Sequence, residues 1–114
     1  MEALLRRIYT FFFGSQKIIG ANRNSKWPKL RNSLIKDAGK CSVCDGIDFL
    51  TVHHIIPFHI RPDLELSREN LVVLCESPKM NCHFIFGHRR DWKNYNKNIL
   101  EDIKILRKII HGKE

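Results

Sequence analysis

Four cysteines constrain this chain more than any other feature. They fall as Cys41-x2-Cys44, a gap of thirty residues, and Cys75-x6-Cys82. A C-x2-C pair puts two thiolates on one tight turn, the usual half of a tetrahedral zinc site, and a second pair completes an all-thiolate shell with no open position. Such a site is structural. In a chain of 114 residues a bound metal stands in for part of a core that a small domain lacks. Any fold must therefore bring the turn at 41–44 beside residues 75–82. A secreted disulfide scaffold is a rival reading, with three possible pairings. It lacks a convincing leader, because Leu4–Phe13 is broken by Arg6, Arg7, Tyr9 and Thr10 and no small-residue cleavage site follows. A thiol redox switch is a further rival. Paired cysteines in a cytosolic chain more often bind metal, so zinc and a cytoplasmic location are expected.

Charge narrows the partner. The net charge is +8, and residues 1–40 carry nine Lys/Arg against Glu2 and Asp37, which is +7 of it. A basic cluster of this kind points to a polyanion or an anionic surface, and Arg23, Lys26, Lys29 and Arg31 are its expected contacts. No apolar stretch reaches the roughly 20 residues of a membrane helix.

The pattern predicts an α+β domain. Leu4, Leu5, Ile8, Phe11 and Phe12 suit a short amphipathic helix over 4–13, and Gly14 to Asn24 reads as a linker. Residues 1–24 are thus expected to be a basic, apolar extension and 25–114 the main domain. Pro28 opens a helix over 28–38 with Leu30, Leu34 and Ile35 inward, and Gly39 stops it. The cysteine turn follows, with Gly46 expected to supply its backbone freedom. Strands are expected over 49–54 and 71–74, joined by a long loop over 55–69 whose length suggests function. A short helix over 81–87 and a final helix over 99–110 complete the chain. Asn98 is the expected cap of the latter, and Ile99, Ile103, Leu106 and Ile110 form its apolar stripe.

Between the cysteine pairs lie two adjacent histidines, His53 and His54, at a strand end. Adjacent side chains of an extended strand point to opposite faces. Hydrolysis of a phosphodiester has use for that division: one group activates water while a metal steadies the phosphate charge. Histidine suits the base because its pKa lies near neutrality. His83, beside Cys82, is the natural second ligand of a catalytic ion. Asn70 can hold backbone or water in place. His88 is a candidate further ligand, but five residues span about 140° more than a full turn of an α-helix, so it need not face His83. His59 reads as structural, and Trp92 and Tyr95 as packing residues rather than base-stacking ones.

These residues are where a resemblance enters. His53-His54-Ile55-Ile56-Pro57, then Glu69-Asn70-Leu71-Val72-Val73-Leu74-Cys75, then Asn81-Cys82-His83 resembles the HNH endonuclease family with its ββα-metal fold. Pro57-Phe58-His59, Leu64-Glu65-Leu66, Gly87-His88, Trp92 and Tyr95-Asn96 are similar to a small bacterial and phage branch with a four-cysteine zinc site. The resemblance implies a metal-dependent DNA endonuclease: His54 the general base, His53 and His83 the ligands of one divalent ion, and Asn70 the residue orienting the base-bearing loop. It implies that the helix after Cys82 docks at the minor groove. Mg, Mn, Ni, Co or Zn are the candidate ions, and no small-molecule cofactor is expected. Cys75-x6-Cys82 departs from the broader family's x2 spacing, and Arg89, Arg90 and Asp91 stand where more neutral residues are expected. The alternative is a zinc-stabilised DNA-binding module without catalysis. Neither base specificity nor oligomeric state is readable, since no recognition helix or half-site symmetry appears.

Overall fold

Helix α1 starts where its proline allows. It spans Trp27–Ala38 with Pro28 in the first turn, where a missing N–H breaks no helical bond. Gly39 ends it in the left-handed region at φ 69°, its N–H donating to the Ile35 carbonyl at 2.8 Å. Leu30, Leu34 and Ile35 are half-buried where α1 lies on the sheet. These elements come from a computed structural model that describes residues 23–112. The expected helix over 4–13 and all of the linker but Arg23 and Asn24 lie outside the described residues.

Strands β1 (Leu50–His54) and β2 (Leu71–Cys75) pair antiparallel, from Leu50 opposite Cys75 to His54 opposite Leu71. Phe49 falls outside β1 because its φ of 57° is incompatible with an extended strand. The register sorts the side chains by face. Thr51 and His53 share one face with Val72 and Leu74; Val52 and His54 share the other with Leu71 and Val73. The first face meets the core, in which Val72 and Leu74 join Val43, Ile55, Ile99, Ile103 and the cysteines Cys41, Cys75 and Cys82. The cysteines are thus part of the core they were expected to supplement. The long segment between the strands is tightened by two 3-10 turns, Pro62–Leu64 and Arg68–Asn70.

Two expected turns are built differently. In the cysteine turn the left-handed residue is Asp45, at φ 63°, and not Gly46. Gly46 is needed for closeness: a Cβ there would stand 3.3 Å from Cys44 Sγ. Asp45 accepts its position because Arg107 Nη1 donates to its Oδ1 at 2.8 Å and to the Ser42 carbonyl at 3.3 Å. Arg107 belongs to helix α2 (Ile99–His111), whose His111 Nε2 also donates to the Val43 carbonyl at 3.1 Å. Helix α2 therefore clamps the cysteine turn. Its N-terminus corrects a second expectation. Asn98 occupies the cap position, but with φ −102° and ψ 22° it lacks the extended geometry a capping side chain needs, and it caps nothing. Asn96 Oδ1 instead accepts the Asn98 N–H at 3.0 Å. The apolar stripe of α2 fades along its length, from buried Ile99 and Ile103 to Ile110, which is exposed.

The short helix after Cys82 is the element that positions the site. Residues His83–Gly87 form a single π-helical turn, closed by the His88 N–H donating to the His83 carbonyl at 3.1 Å. It packs against both strands. The result is an α+β fold: a two-stranded antiparallel sheet between α1 and the π-turn, with the four-cysteine knuckle at one end. No described helix is long and apolar enough to cross a membrane.

Candidate active site

The four thiols converge as the spacing predicts. All are free, and their sulfurs lie within 4.8 Å of one another. Cys44 Sγ and Cys75 Sγ are 3.7 Å apart, close to the edge of about 3.8 Å that a tetrahedron with Zn–S bonds near 2.3 Å requires. The Val43 N–H points at Cys41 Sγ, 3.4 Å away. Their electrostatics call for a cation. A hydrogen bond from Cys82 brings the Cys41 thiol down to about 5, whereas burial pushes Cys44 up to about 11. Cys82 is driven upward because its thiol donates to Cys41. Four thiolates gathered this closely repel one another, and a divalent ion at their centre would offset that repulsion. The geometry and chemistry fit structural zinc.

A second cluster is made of imidazoles. The ligand nitrogens of His53, His83 and His88 lie within 4.8 Å of one another. His53 comes from the end of β1 and is 1% exposed. His83 and His88 bracket the π-turn. On an α-helix they would diverge, but the wider π-turn brings residues five apart onto one side, and His83 Nε2 to His88 Nε2 is 3.2 Å. His88 thus joins the cluster for a reason that α-helical spacing hides. Its Nδ1 lies 2.8 Å from the Asn94 carbonyl. A carbonyl only accepts, so Nδ1 carries the proton and Nε2 offers its lone pair. Burial holds His53 down to about 3 and lowers His88 as well. Both are therefore neutral, the form a metal needs. His53 Nε2 is buried and makes no hydrogen bond among the described residues, an orphan that a metal ion would satisfy. Glu76 Oε1 stands 4.0 Å from His83 Nδ1, on the far side of the ring from Nε2.

Three neighbours shape this cluster. Gly87 passes so close to His53 that a Cβ would lie 3.2 Å from its Cε1 and Nε2. Trp92 packs on His83 and His88, with ring centroids 5.3 and 4.8 Å away, which is the packing role expected for it. Buried Asn96 donates from Nδ2 to the Phe86 carbonyl at 3.2 Å and to Asp102 Oδ2 at 2.7 Å, and its N–H donates to the Gly87 carbonyl, so it ties the π-turn to α2.

His54 points away from the cluster. Its Nε2 is 3.1 Å from the Glu65 carbonyl and must donate to it, which leaves Nδ1 as the basic nitrogen. The Trp27 ring lies beside it at 4.5 Å between centroids. Burial lowers its pKa; the Glu65 carbonyl opposes that shift and Arg23 adds to it. Asn70 fixes the loop just beyond His54. It accepts the Ile56 N–H on Oδ1 at 2.8 Å and donates from Nδ2 to the Ile56 carbonyl at 3.0 Å, a two-point clasp across the segment between the strands.

The basic residues divide. Lys26 and Lys29 are exposed, and Arg31 is half-buried with Nη1 directed at Asn32 Oδ1, 3.4 Å away. Arg23 keeps 37% of its side chain exposed but is engaged, paired with the buried Glu65 carboxylate and stacked over Phe58 at 4.6 Å. Arg89 and Arg90 are exposed and directly follow His88, both in the left-handed region at φ 54° and 65°. His59 is exposed and lies outside both clusters.

Trp27, Glu65, Gly87 and Asn96 had no role assigned from sequence. The last three stand in motifs of the resemblance, which was the available signal; Trp27 carried none, because its partner His54 lies 27 positions further along the chain.

A two-stranded sheet leading into a short helical turn, with histidines gathered where they meet and a cysteine knuckle beneath, defines a ββα-metal domain. Residues 40–84 match the family model described as HNH endonuclease. The matched segment contains His53, His54, Asn70, His83 and all four cysteines, and stops short of His88. Domains of this family generally bind DNA and typically belong to nucleases. No curated protein and no solved structure matches the chain.

Proposed function

We propose that the chain is a metal-dependent DNA endonuclease that hydrolyses phosphodiester bonds with His54 as general base. One observation carries this reading. The adjacent histidines face opposite sides of β1, one toward a cluster of three imidazoles and the other with its basic nitrogen left open by a carbonyl that takes the remaining proton.

His53, His83 and His88 would hold a divalent cation. Bound there, the ion supplies Lewis-acid stabilisation of the phosphate and the leaving oxygen. The residues of the chain do the rest. His54 Nδ1 takes a proton from the attacking water while Nε2 stays fixed by Glu65. Asn70 keeps the loop after His54 from drifting, and misplacement of a reacting group by about 1 Å costs up to about a hundredfold in rate. Three imidazoles favour a borderline ion such as Zn, Ni, Co or Mn over Mg, which prefers oxygen ligands and bound water. The four thiols would hold zinc as scaffold. Lys26 and Lys29, exposed at the N-terminal end of α1, supply sequence-independent phosphate contacts, and the π-turn lies at the minor groove.

A supercoiled plasmid incubated with the chain and each divalent metal tests the proposal. Metal-dependent relaxation is expected. DNA binding without cleavage in every metal would support a zinc-stabilised binding module instead.

A further inference from the structure

We infer that the segment Arg23–Trp27, which precedes the matched domain, is a positioning element of the His54 centre; this rests on the reading of His54 as general base. The Glu65 side chain is 4% exposed, yet it bears a carboxylate. A buried carboxylate is stable only when it is paired and hydrogen-bonded. Both of its oxygens find partners in one short stretch: Oε1 accepts the Asn24 N–H at 2.8 Å and Oε2 accepts Arg23 Nε. The same residue's backbone carbonyl takes the Nε2 proton of His54. Whatever fixes Glu65 therefore fixes the tautomer and the angle of His54.

Two more contacts bind the stretch to the same centre. The Arg23 guanidinium carbon lies 5.4 Å from the Trp27 ring and 4.6 Å from the Phe58 ring, so its charge is held between two aromatic faces. Trp27 then rests on His54. Arg23, Glu65, Trp27 and His54 form a closed circuit whose members come from three separated parts of the chain. Arg23 is thus a positioning residue, and its charge serves Glu65 before it can serve DNA.

The circuit predicts how variants separate. Arg23→Gln strands the Glu65 carboxylate and should lower kcat by about tenfold or more while KM for plasmid stays within about twofold. Arg23→Lys, which keeps the charge, should recover most of that loss. Arg23→Gln combined with Glu65→Gln replaces the ion pair by two amides and should be less impaired than Arg23→Gln alone. The second readout needs no activity. In long-range 1H–15N spectra of the full zinc-loaded chain, recorded without added catalytic metal, His54 should be the Nε2–H tautomer, and Arg23→Gln should convert it to a tautomer mixture. Zinc content and circular dichroism confirm that each variant is folded, and Arg23→Lys serves where Arg23→Gln is not. The inference is overturned if the His54 tautomer is the same in Arg23→Gln and wild type. It is equally overturned if Arg23→Gln raises KM and flattens the salt dependence with kcat intact, the signature of a DNA contact. Absence of cleavage by the wild type would sink the nuclease reading, and the spectra would still decide whether Arg23 positions His54.

Discussion

His83 Nε2 and His88 Nε2 lie 3.2 Å apart across a single π-turn. That is close to the separation of two nitrogens on one metal ion with bonds near 2.0–2.1 Å, about 3.0–3.4 Å. The turn carries the cost of an irregular helix, and π-turns concentrate at functional sites. With His53 facing them from β1, the three rings form a site that neither strand nor helix could build alone.

Gly87 is the hinge of that packing. A Cβ on it would meet three atoms of the His53 ring at 3.2 to 3.3 Å, and that ring is enclosed and cannot swing clear. Gly87→Ala should therefore destabilise the fold by about 1–3 kcal/mol through overpacking. It should also weaken binding of an added divalent ion by about tenfold or more. Calorimetric titration with the metal and a denaturant melt check both.

Zinc removal should unfold the chain. Structural zinc contributes on the order of 10 kcal/mol in small sites, comparable to the whole stability of a domain. Here the cysteines are also core residues beside Val43, Leu74 and Ile99. Elemental analysis should find one tightly bound zinc per chain, and a strong chelator or Cys41→Ser should abolish the cooperative melt. A cooperative melt that survives zinc loss would contradict this role.

The histidines set the pH response. His53 is held at about 3 and His88 below its usual value, so both stay neutral in the fold while the unfolded chain protonates them near 6.5. Below pH 6.5 the unfolded state binds more protons, and stability falls by about 1.4 kcal/mol per pH unit for each such histidine. The loss should continue toward pH 3 for His53. The base follows the same sign. Since the pKa of His54 is lowered by burial, it should remain competent below the ordinary histidine range, with the acid limb of kcat/KM under pH 6.5. An acid limb above pH 7 would assign the titration to another group.

DNA affinity should depend steeply on salt. Lys26 and Lys29 are exposed, while Arg23 is engaged with Glu65. Each phosphate contact removed should reduce the slope of log K against log salt by about 0.9. Lys26→Ala with Lys29→Ala should therefore flatten it by up to about 2, measured by fluorescence anisotropy with a short duplex. An unchanged slope would move the footprint elsewhere, with exposed Arg89 and Arg90 beside His88 the next residues to neutralise.

Much of the site was legible because its residues sit in local patterns. The C-x2-C turn, the paired histidines and the strand periodicity each declare themselves within a few positions. What escaped depends on backbone geometry or on distant partners. The α-helical angle between His83 and His88 misleads because the turn is π. Gly46 drew notice as the flexible residue of its turn, yet the left-handed conformation falls on Asp45, which Arg107 holds from α2. Glu65 looked like a loop residue since its partner Arg23 is 42 positions away. Asn70, by contrast, clasps the Ile56 backbone much as a neutral amide at that place was expected to.

The central claim is that two neighbouring histidines divide the work, His53 on the metal and His54 on the water. Metal affinity and plasmid cleavage rate, measured side by side for His53→Ala and His54→Ala, test it most directly. His54→Ala should bind the added divalent ion as tightly as wild type and cleave at least about a hundredfold more slowly. His53→Ala should lose the ion while its cysteine-bound zinc is retained. Cleavage at the wild-type rate by His54→Ala, or loss of the ion in that variant, would contradict the division.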